Sequence, residues 1–295
     1  MWFPFRGQGF KVRGMSSVSK TTIKKVNAGK STDADDLLAA EEPLEIRLDY
    51  GAGGKRTLKN ISVTMRTPGN DFELATGFLY TEGIIISAAD VVSVGYCKAD
   101  NENIVCVRLN DNVVPAMDKL ERNFYTTSSC GVCGKASIEA VRTACNIPDT
   151  YDLLRFPAAT IYKLPGLLRK HQEVFENTGG LHACALFDAT GALLLSREDV
   201  GRHNALDKLI GAALNAGMLP LDKHILLLSG RASFELVQKA VMAGIKVVAA
   251  VGAPSSLAAE MAEEWGMTLI GFLRGERFNI YSGAERIETT ITNLP

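Results

Sequence analysis

A chain of 295 residues, 46% hydrophobic and 22% charged, has enough apolar surface for one large or two modest folded domains, which excludes a disordered or low-complexity protein. Its 32 Lys and Arg against 33 Asp and Glu leave a formal charge of −1. That balance excludes a broad electrostatic grip on nucleic acid or on an acidic membrane, while leaving room for a local basic pocket. The six cysteines, Cys97, Cys106, Cys130, Cys133, Cys145 and Cys184, are too few for a disulfide scaffold. Four of them read as packing residues, and Cys130 and Cys133 form a tight pair.

In chain order, residues 1–41 read as a flexible leader, polar and without sustained periodicity. Met15 is a candidate start. Met1-Trp2-Phe3-Pro4-Phe5-Arg6 has no apolar run of signal-peptide length, and the longest apolar runs, 225–228 and 247–251, suit strands rather than membrane spans. A cytoplasmic protein with reduced thiols is expected. Residues 42–125 read as an α+β region. Leu44, Ile46 and Leu48 alternate with polar residues as in a half-buried strand, 61–65 is its partner, and Asn70 or Asp71 can cap a helix over 72–80. Strand patterns follow at 91–96 and 104–109.

Residues 126–295 read as an α/β domain. A small-residue loop around the cysteine pair runs into a helix at 136–144, and an amphipathic stretch covers 161–176. Strands at 182–187 and 192–196 flank the turn Asp188-Ala189-Thr190-Gly191, and 201–216 is a helix. Then strands at 225–228, 246–251 and 268–273 alternate with helices at 234–243 and 256–265, the spacing of parallel strands with crossover helices.

Cys130 and Cys133 make a C-x-x-C within Ser128-Ser129-Cys130-Gly131-Val132-Cys133-Gly134-Lys135. This spacing serves three chemistries. A zinc site needs a second pair of ligands, and His182, Cys184, His203 and Cys145 make no standard second half. A thioredoxin-like disulfide needs a preceding strand, for which 123–129 is poor material. A persulfide carrier needs a thiol that ionises near neutral pH on mobile backbone; Gly131 and Gly134 supply the mobility, and Lys135 with the following helix start supplies positive potential. Simple burial suits a Gly-flanked, Ser-preceded pair poorly.

Parallel strands bring their carboxyl ends to one edge, where ligands bind. Three loops fall there: Ser229-Gly230-Arg231-Ala232-Ser233, Gly252-Ala253-Pro254-Ser255-Ser256 and Arg274-Gly275-Glu276-Arg277. Glycines allow close approach, helix starts attract anions, and Arg231, Arg274 and Arg277 can pair with phosphate. The loops describe a nucleotide-type pocket, or else are plain connecting turns. Glu198-Asp199-Val200-Gly201-Arg202-His203-Asn204 is a second polar cluster, in which His203 is either an acid–base group or a cap. His182 and Cys184 share a strand face and read as a core pair. His171 and His224 read as surface residues.

These motifs, with Thr67-Pro68-Gly69-Asn70-Asp71-Phe72 and Thr178-Gly179-Gly180-Leu181-His182, resemble the formate dehydrogenase accessory sulfurtransferase family from about Glu42 to the C-terminus. The resemblance implies a sulfur relay. A cysteine desulfurase would pass sulfur to Cys130, which carries the persulfide with Cys133 assisting. The sulfur would then reach the molybdenum cofactor of formate dehydrogenase, in its bis-molybdopterin guanine dinucleotide form, as a terminal sulfido ligand. The family's cofactor-binding stretch falls on Phe272, Leu273, Arg274, Gly275, Glu276 and Arg277. The resemblance also implies a cytidine-deaminase-like three-layer α/β sheet and a homodimer; from the charge balance, the short apolar runs and the ligand spacing, no nucleic-acid partner, membrane partner or structural metal is expected. Zinc deamination is disfavoured, because His182-Ala183-Cys184 lacks the required Glu. A non-catalytic chaperone that binds the cofactor and apo-formate dehydrogenase is the alternative function.

Overall fold

The computed structural model describes residues 16–52, 54–98, 101–113, 115, 154–172, 175 and 178–289. Where an unstructured leader was expected, strands β1 (Val18–Asn27) and β2 (Lys30–Ala39) form an antiparallel hairpin. Ala28 and Gly29 both have positive φ (47° and 79°), the conformation of a two-residue hairpin turn whose twist suits the strands. Lysines of β1 face a β2 rich in aspartate, and Lys24 Nζ lies 2.9 Å from Asp33 Oδ1. The ribbon is mostly exposed and patterned by charge rather than by apolar alternation. A search for hydrophobic periodicity passes over it for that reason.

Strands β3 (Glu42–Tyr50) and β4 (Thr57–Arg66) pair antiparallel, as Leu44, Ile46 and Leu48 foretold; all three are buried. Helix α1 (Asp71–Thr81) follows, then β5 (Val91–Lys98) and β6 (Asn101–Leu109). The four strands form one sheet in the order β4-β3-β6-β5. Leu74, Ala75 and Leu79 of α1 pack on it. Asn70 occupies the cap position of α1 but makes no side-chain cap bond. Asp71 instead holds the buried Arg66, with Oδ1 3.0 Å from Nε and Oδ2 2.9 Å from Nη2.

Cys97 and Cys106, expected as separate packing residues, are joined in a disulfide, with Cα atoms 5.2 Å apart. The cause lies in the register. Gly95 stands opposite Cys106, and the ladder is irregular between Tyr96 and Lys98, the stretch that holds Cys97. Cys184 is buried and free, as expected of a packing cysteine.

The second sheet has six strands: β8 (His182–Phe187), β9 (Leu193–Asp199), β10 (Ile225–Leu228), β11 (Val247–Ala250), β12 (Thr268–Arg274) and β13 (Arg277–Ser282). Their order is β13-β12-β11-β10-β8-β9. β10, β11 and β12 are parallel, and β8 and β13 flank them antiparallel. Helices α3 (Arg202–Asn215), α4 (Phe234–Met242) and α5 (Ser256–Glu264) bury one face. The other face is covered by α2 (Ala158–Arg169), with Phe156 of β7 (Phe156–Pro157) and Ile287 of β14 (Ile287–Glu288).

Helix α3 joins the two halves. One side lies on the six-stranded sheet and the other meets α1, where Gly77 and Gly211 let the backbones touch. A Cβ at Gly211 would strike the Glu73 carbonyl, and one at Gly77 would strike that of Asp207. Backbone cannot yield as a side chain can, so Gly211→Ala is expected to destabilise by about 3 kcal/mol, the upper end of the usual overpacking cost. A urea midpoint equal to the parent's would contradict this packing.

Candidate functional site at the strand-end edge

Cys130, Cys133, Cys145 and the expected helix at 136–144 lie outside the described residues. The carboxyl edge of the parallel strands is inside them, and the hydrogen-bond ladder continues past the strand ends there. Gly252 N–H donates to the Gly230 carbonyl (2.9 Å), Ala232 N–H to that of Ala253 (3.2 Å), and Phe272 N–H to that of Gly252 (3.0 Å). The loops after β10 and β11 and the end of β12 are thus bonded side by side, as the parallel reading required. Gly252 permits this closeness, because a Cβ there would sit 2.9 Å from the Gly230 oxygen and 3.0 Å from the Arg231 nitrogen.

The third loop is not a strand-to-helix connection. Gly275 and Glu276 are the tip of a tight hairpin into β13, a strand the sequence reading missed. Arg274 and Arg277 stand directly opposite each other across it, both exposed. Like charges in that relation repel, and an anion between them would convert the repulsion into binding. Phe272 is 42% exposed and has φ of 54°, a left-handed conformation that a bulky residue adopts only under constraint and that clusters at ligand sites. Leu273 is fully buried in the core beneath, so its side chain anchors the hairpin and only its backbone is offered to a ligand.

The cluster at 198–204 divides. Glu198 and Asp199 end β9. Asp199 is a buried tie whose Oδ2 lies 2.7 Å from Lys208 Nζ and accepts from Thr67 N–H at 3.1 Å, which fastens the 67–70 turn to the larger sheet. Arg202 and His203, at the start of α3, reach the strand-end edge. His203 Nε2 lies 3.4 Å from both Ser233 Oγ and Glu235 Oε2. Its hydrogen bonds and those of Ser233 hold the Glu235 carboxyl below its usual range, although burial opposes them most strongly.

His182, at the start of β8, packs over Gly230, whose Cβ would lie 3.3 Å from His182 Nδ1. Burial lowers its pKa, helped by the charges of Arg202 and His203. The ring is therefore neutral at pH 7. The Cys184 thiol beside it is pushed far up by burial and by Asp207 and Asp199, so it stays protonated and unreactive.

A larger cavity of about 370 Å³ lies where the two halves meet, lined by Thr67, Gly69, Asn70, Ser196 and Lys208 among others. The exposed His171 borders it; His224 is half-buried rather than on the surface. Among the described residues, no three His, Cys, Asp or Glu side chains converge as metal ligands. None of the described helices is long and apolar enough to cross a membrane.

The sequence model of the FdhD/NarQ family matches residues 39–288. The chain belongs to this family. A protein of Mycolicibacterium paratuberculosis named "Sulfur carrier protein FdhD" is 52% identical over 280 residues, 92% of this chain and 100% of that protein. Relatives of the same name occur in Streptomyces avermitilis, 52% identical over 90% of this chain and 94% of theirs, and in Sulfurisphaera tokodaii, 44% identical over 92% and 99%. A crystal structure described as a formate dehydrogenase accessory protein from Desulfotalea psychrophila shares the fold. Its TM-score is 0.72 at 24% identity, over 92% of this chain and 100% of that one. The FdhD/NarQ match takes in both sheets and the strand-end edge and leaves out nearly all of the β1–β2 hairpin.

Proposed function

We propose that the chain is a sulfur carrier, a sulfurtransferase in which Cys130 accepts persulfide sulfur from a cysteine desulfurase. It delivers that sulfur to the bis-molybdopterin guanine dinucleotide cofactor needed by formate dehydrogenase. The observation that carries the reading is near-full-length identity of about half to proteins named sulfur carriers. The described cysteines support it by elimination. Cys97 and Cys106 are bridged and Cys184 is buried and protonated, which leaves Cys145 and the C-x-x-C pair, Cys130 and Cys133, as nucleophile candidates.

In the loading step the Cys130 thiolate attacks the outer sulfur of the donor's persulfide. The new sulfur–sulfur bond forms as the old one breaks, and the donor leaves as a thiolate, so no outside oxidant is required. Cys133 stands three residues on, where it can assist. The cofactor is cargo here, held at the edge where Arg274 and Arg277 face each other beside the exposed Phe272. The same proposal takes from the resemblance a cytoplasmic homodimer that meets both a cysteine desulfurase and formate dehydrogenase. It also includes a cytidine-deaminase-like sheet, which the run β9-β8-β10-β11-β12 with helices on both faces supports.

Expression in a bacterium deprived of its own family member tests the function. Recovered formate dehydrogenase activity supports it; a folded chain that restores none contradicts it. For the edge, replacing both Arg274 and Arg277 by glutamine is expected to weaken binding of guanosine diphosphate about tenfold or more, given the strength of charge-assisted bonds to phosphate. Unchanged affinity by calorimetry would remove the assignment.

A further inference from the structure

We infer that Arg202, His182 and Arg231 form a second subsite for a phosphate-type oxyanion, separate from the Arg274–Arg277 pair. The inference deepens the proposed function and rests on its reading of the edge as a phosphate-binding surface. The three residues surround a small space of about 10 Å³, shared with Cys184 and Ser229, which admits one water-sized group and so one oxygen of a larger anion.

Four observations converge. Among the described residues, the buried Arg202 Nε has no hydrogen-bond acceptor. Among the described residues neither Arg202 nor Arg231 has a carboxylate partner. A buried cationic donor left unsatisfied is costly, so its retention calls for an acceptor that arrives from outside. The first turn of α3 carries Arg202 and His203 and no acidic residue, and its cap residue, Gly201, has no side chain to cap it; the one carboxylate at this start, Asp199, accepts from Gly201 N–H (2.8 Å) and is already tied to Lys208. An anion would satisfy both the guanidinium and the helix start. Finally, Gly230 keeps the floor open: His182 lies over it on one side and Arg231 follows it on the other.

The position separates this subsite from the first. β11 lies between β10 and β12, so two strand spacings, about 10 Å, divide the ends of β10 and β12. That spacing suits a ligand with phosphates on two arms. The ladder from Gly230 through Gly252 to Phe272 fixes the spacing in backbone.

Inorganic pyrophosphate is the probe, with calorimetric stoichiometry and melting temperature as readouts. The full chain is expected to bind two equivalents. Arg202→Gln is expected to bind one and, without ligand, to melt at or above the parent, because an unpaired cation has been removed. Arg202→Lys, which keeps the charge, should retain weakened second-site binding. The paired Arg274→Gln and Arg277→Gln variant should also bind one equivalent, through the Arg202 site. If Arg202→Gln itself fails to fold, the exposed Arg231→Gln takes its place, with at least tenfold weaker second-site binding expected. One equivalent in the parent, lost only with Arg274 and Arg277, would overturn the subsite and leave the proposed function standing. One equivalent lost only with Arg202 would support the subsite and remove the Arg274–Arg277 assignment. No binding to the folded parent would overturn both.

Discussion

Replacing Cys130 by alanine is expected to reduce restoration of formate dehydrogenase activity by roughly a hundredfold or more, the scale of losing a covalent nucleophile. Cys133→Ala is expected to retain part of the activity. The difference follows from the roles: one sulfur must carry the cargo and the other assists. A chain acting only as a cofactor-binding chaperone would restore activity with Cys130→Ala, and that result would favour the alternative function. Equal, complete loss in both variants would point to a shared disulfide or a joint site. The described thiols offer no substitute nucleophile, since Cys97 and Cys106 are consumed by their bridge and the Cys184 thiol is kept protonated by burial. Urea unfolding of both variants should match the parent, so a loss of activity reads as lost chemistry.

Asp207→Ala is expected to destabilise the fold by about 3–5 kcal/mol, the cost of breaking a buried ion pair by removing one member. Lys239 Nζ lies 3.0 Å from both carboxylate oxygens of Asp207, 2.8 Å from Thr81 Oγ1 and 3.3 Å from Glu82 Oε1. Thr81 in turn donates to Asp207 Oδ1 at 2.8 Å. These groups come from α1, its end, α3 and α4, so the network knits the two halves at their junction. Burial alone would depress the Lys239 pKa; the charges of Asp207 and Glu82 overcome it and raise the value instead. Without Asp207 the larger part of that compensation is gone. Replacing Asp207 and Lys239 together by leucine and methionine is expected to recover most of the lost stability, because a well-packed apolar pair can match a buried ion pair. A urea midpoint for Asp207→Ala within experimental error of the parent, or a double variant as unstable as the single, would contradict this account.

Where apolar residues recur with a regular period, the sequence and the fold agree. Leu44, Ile46 and Leu48 mark β3, the buried face of α3 follows its spacing, and the alternation from 225 to 273 yields three parallel strands with two crossover helices. The edge loops were legible for the same reason, since each follows a strand whose direction the crossovers set. What escaped depended on other forces. The β1–β2 ribbon is patterned by opposite charges and a left-handed turn. β13 alternates between half-buried and exposed polar and apolar side chains at a sheet edge, and only two residues separate it from β12. The Cys97–Cys106 bridge depends on register, which a single strand's sequence does not carry. The contact of Gly77 with α3 joins residues far apart in the chain. In the candidate site, Arg231, Arg274 and Arg277 stood out in strand-end loops. Arg202 became part of the edge only once α3 was seated against β8 and β9.

The central claim is that Cys130 carries sulfur, and intact-protein mass spectrometry tests it most directly. After incubation with a cysteine desulfurase and cysteine, the chain is expected to gain about 32 Da, the mass of one sulfur atom, as a persulfide that a thiol reductant removes. Proteolysis should place the gain on the peptide containing Cys130 and Cys133, and Cys130→Ala should abolish it. A folded chain with its Cys130 thiol free that gains no sulfur, or gains it equally in Cys130→Ala, would contradict the account.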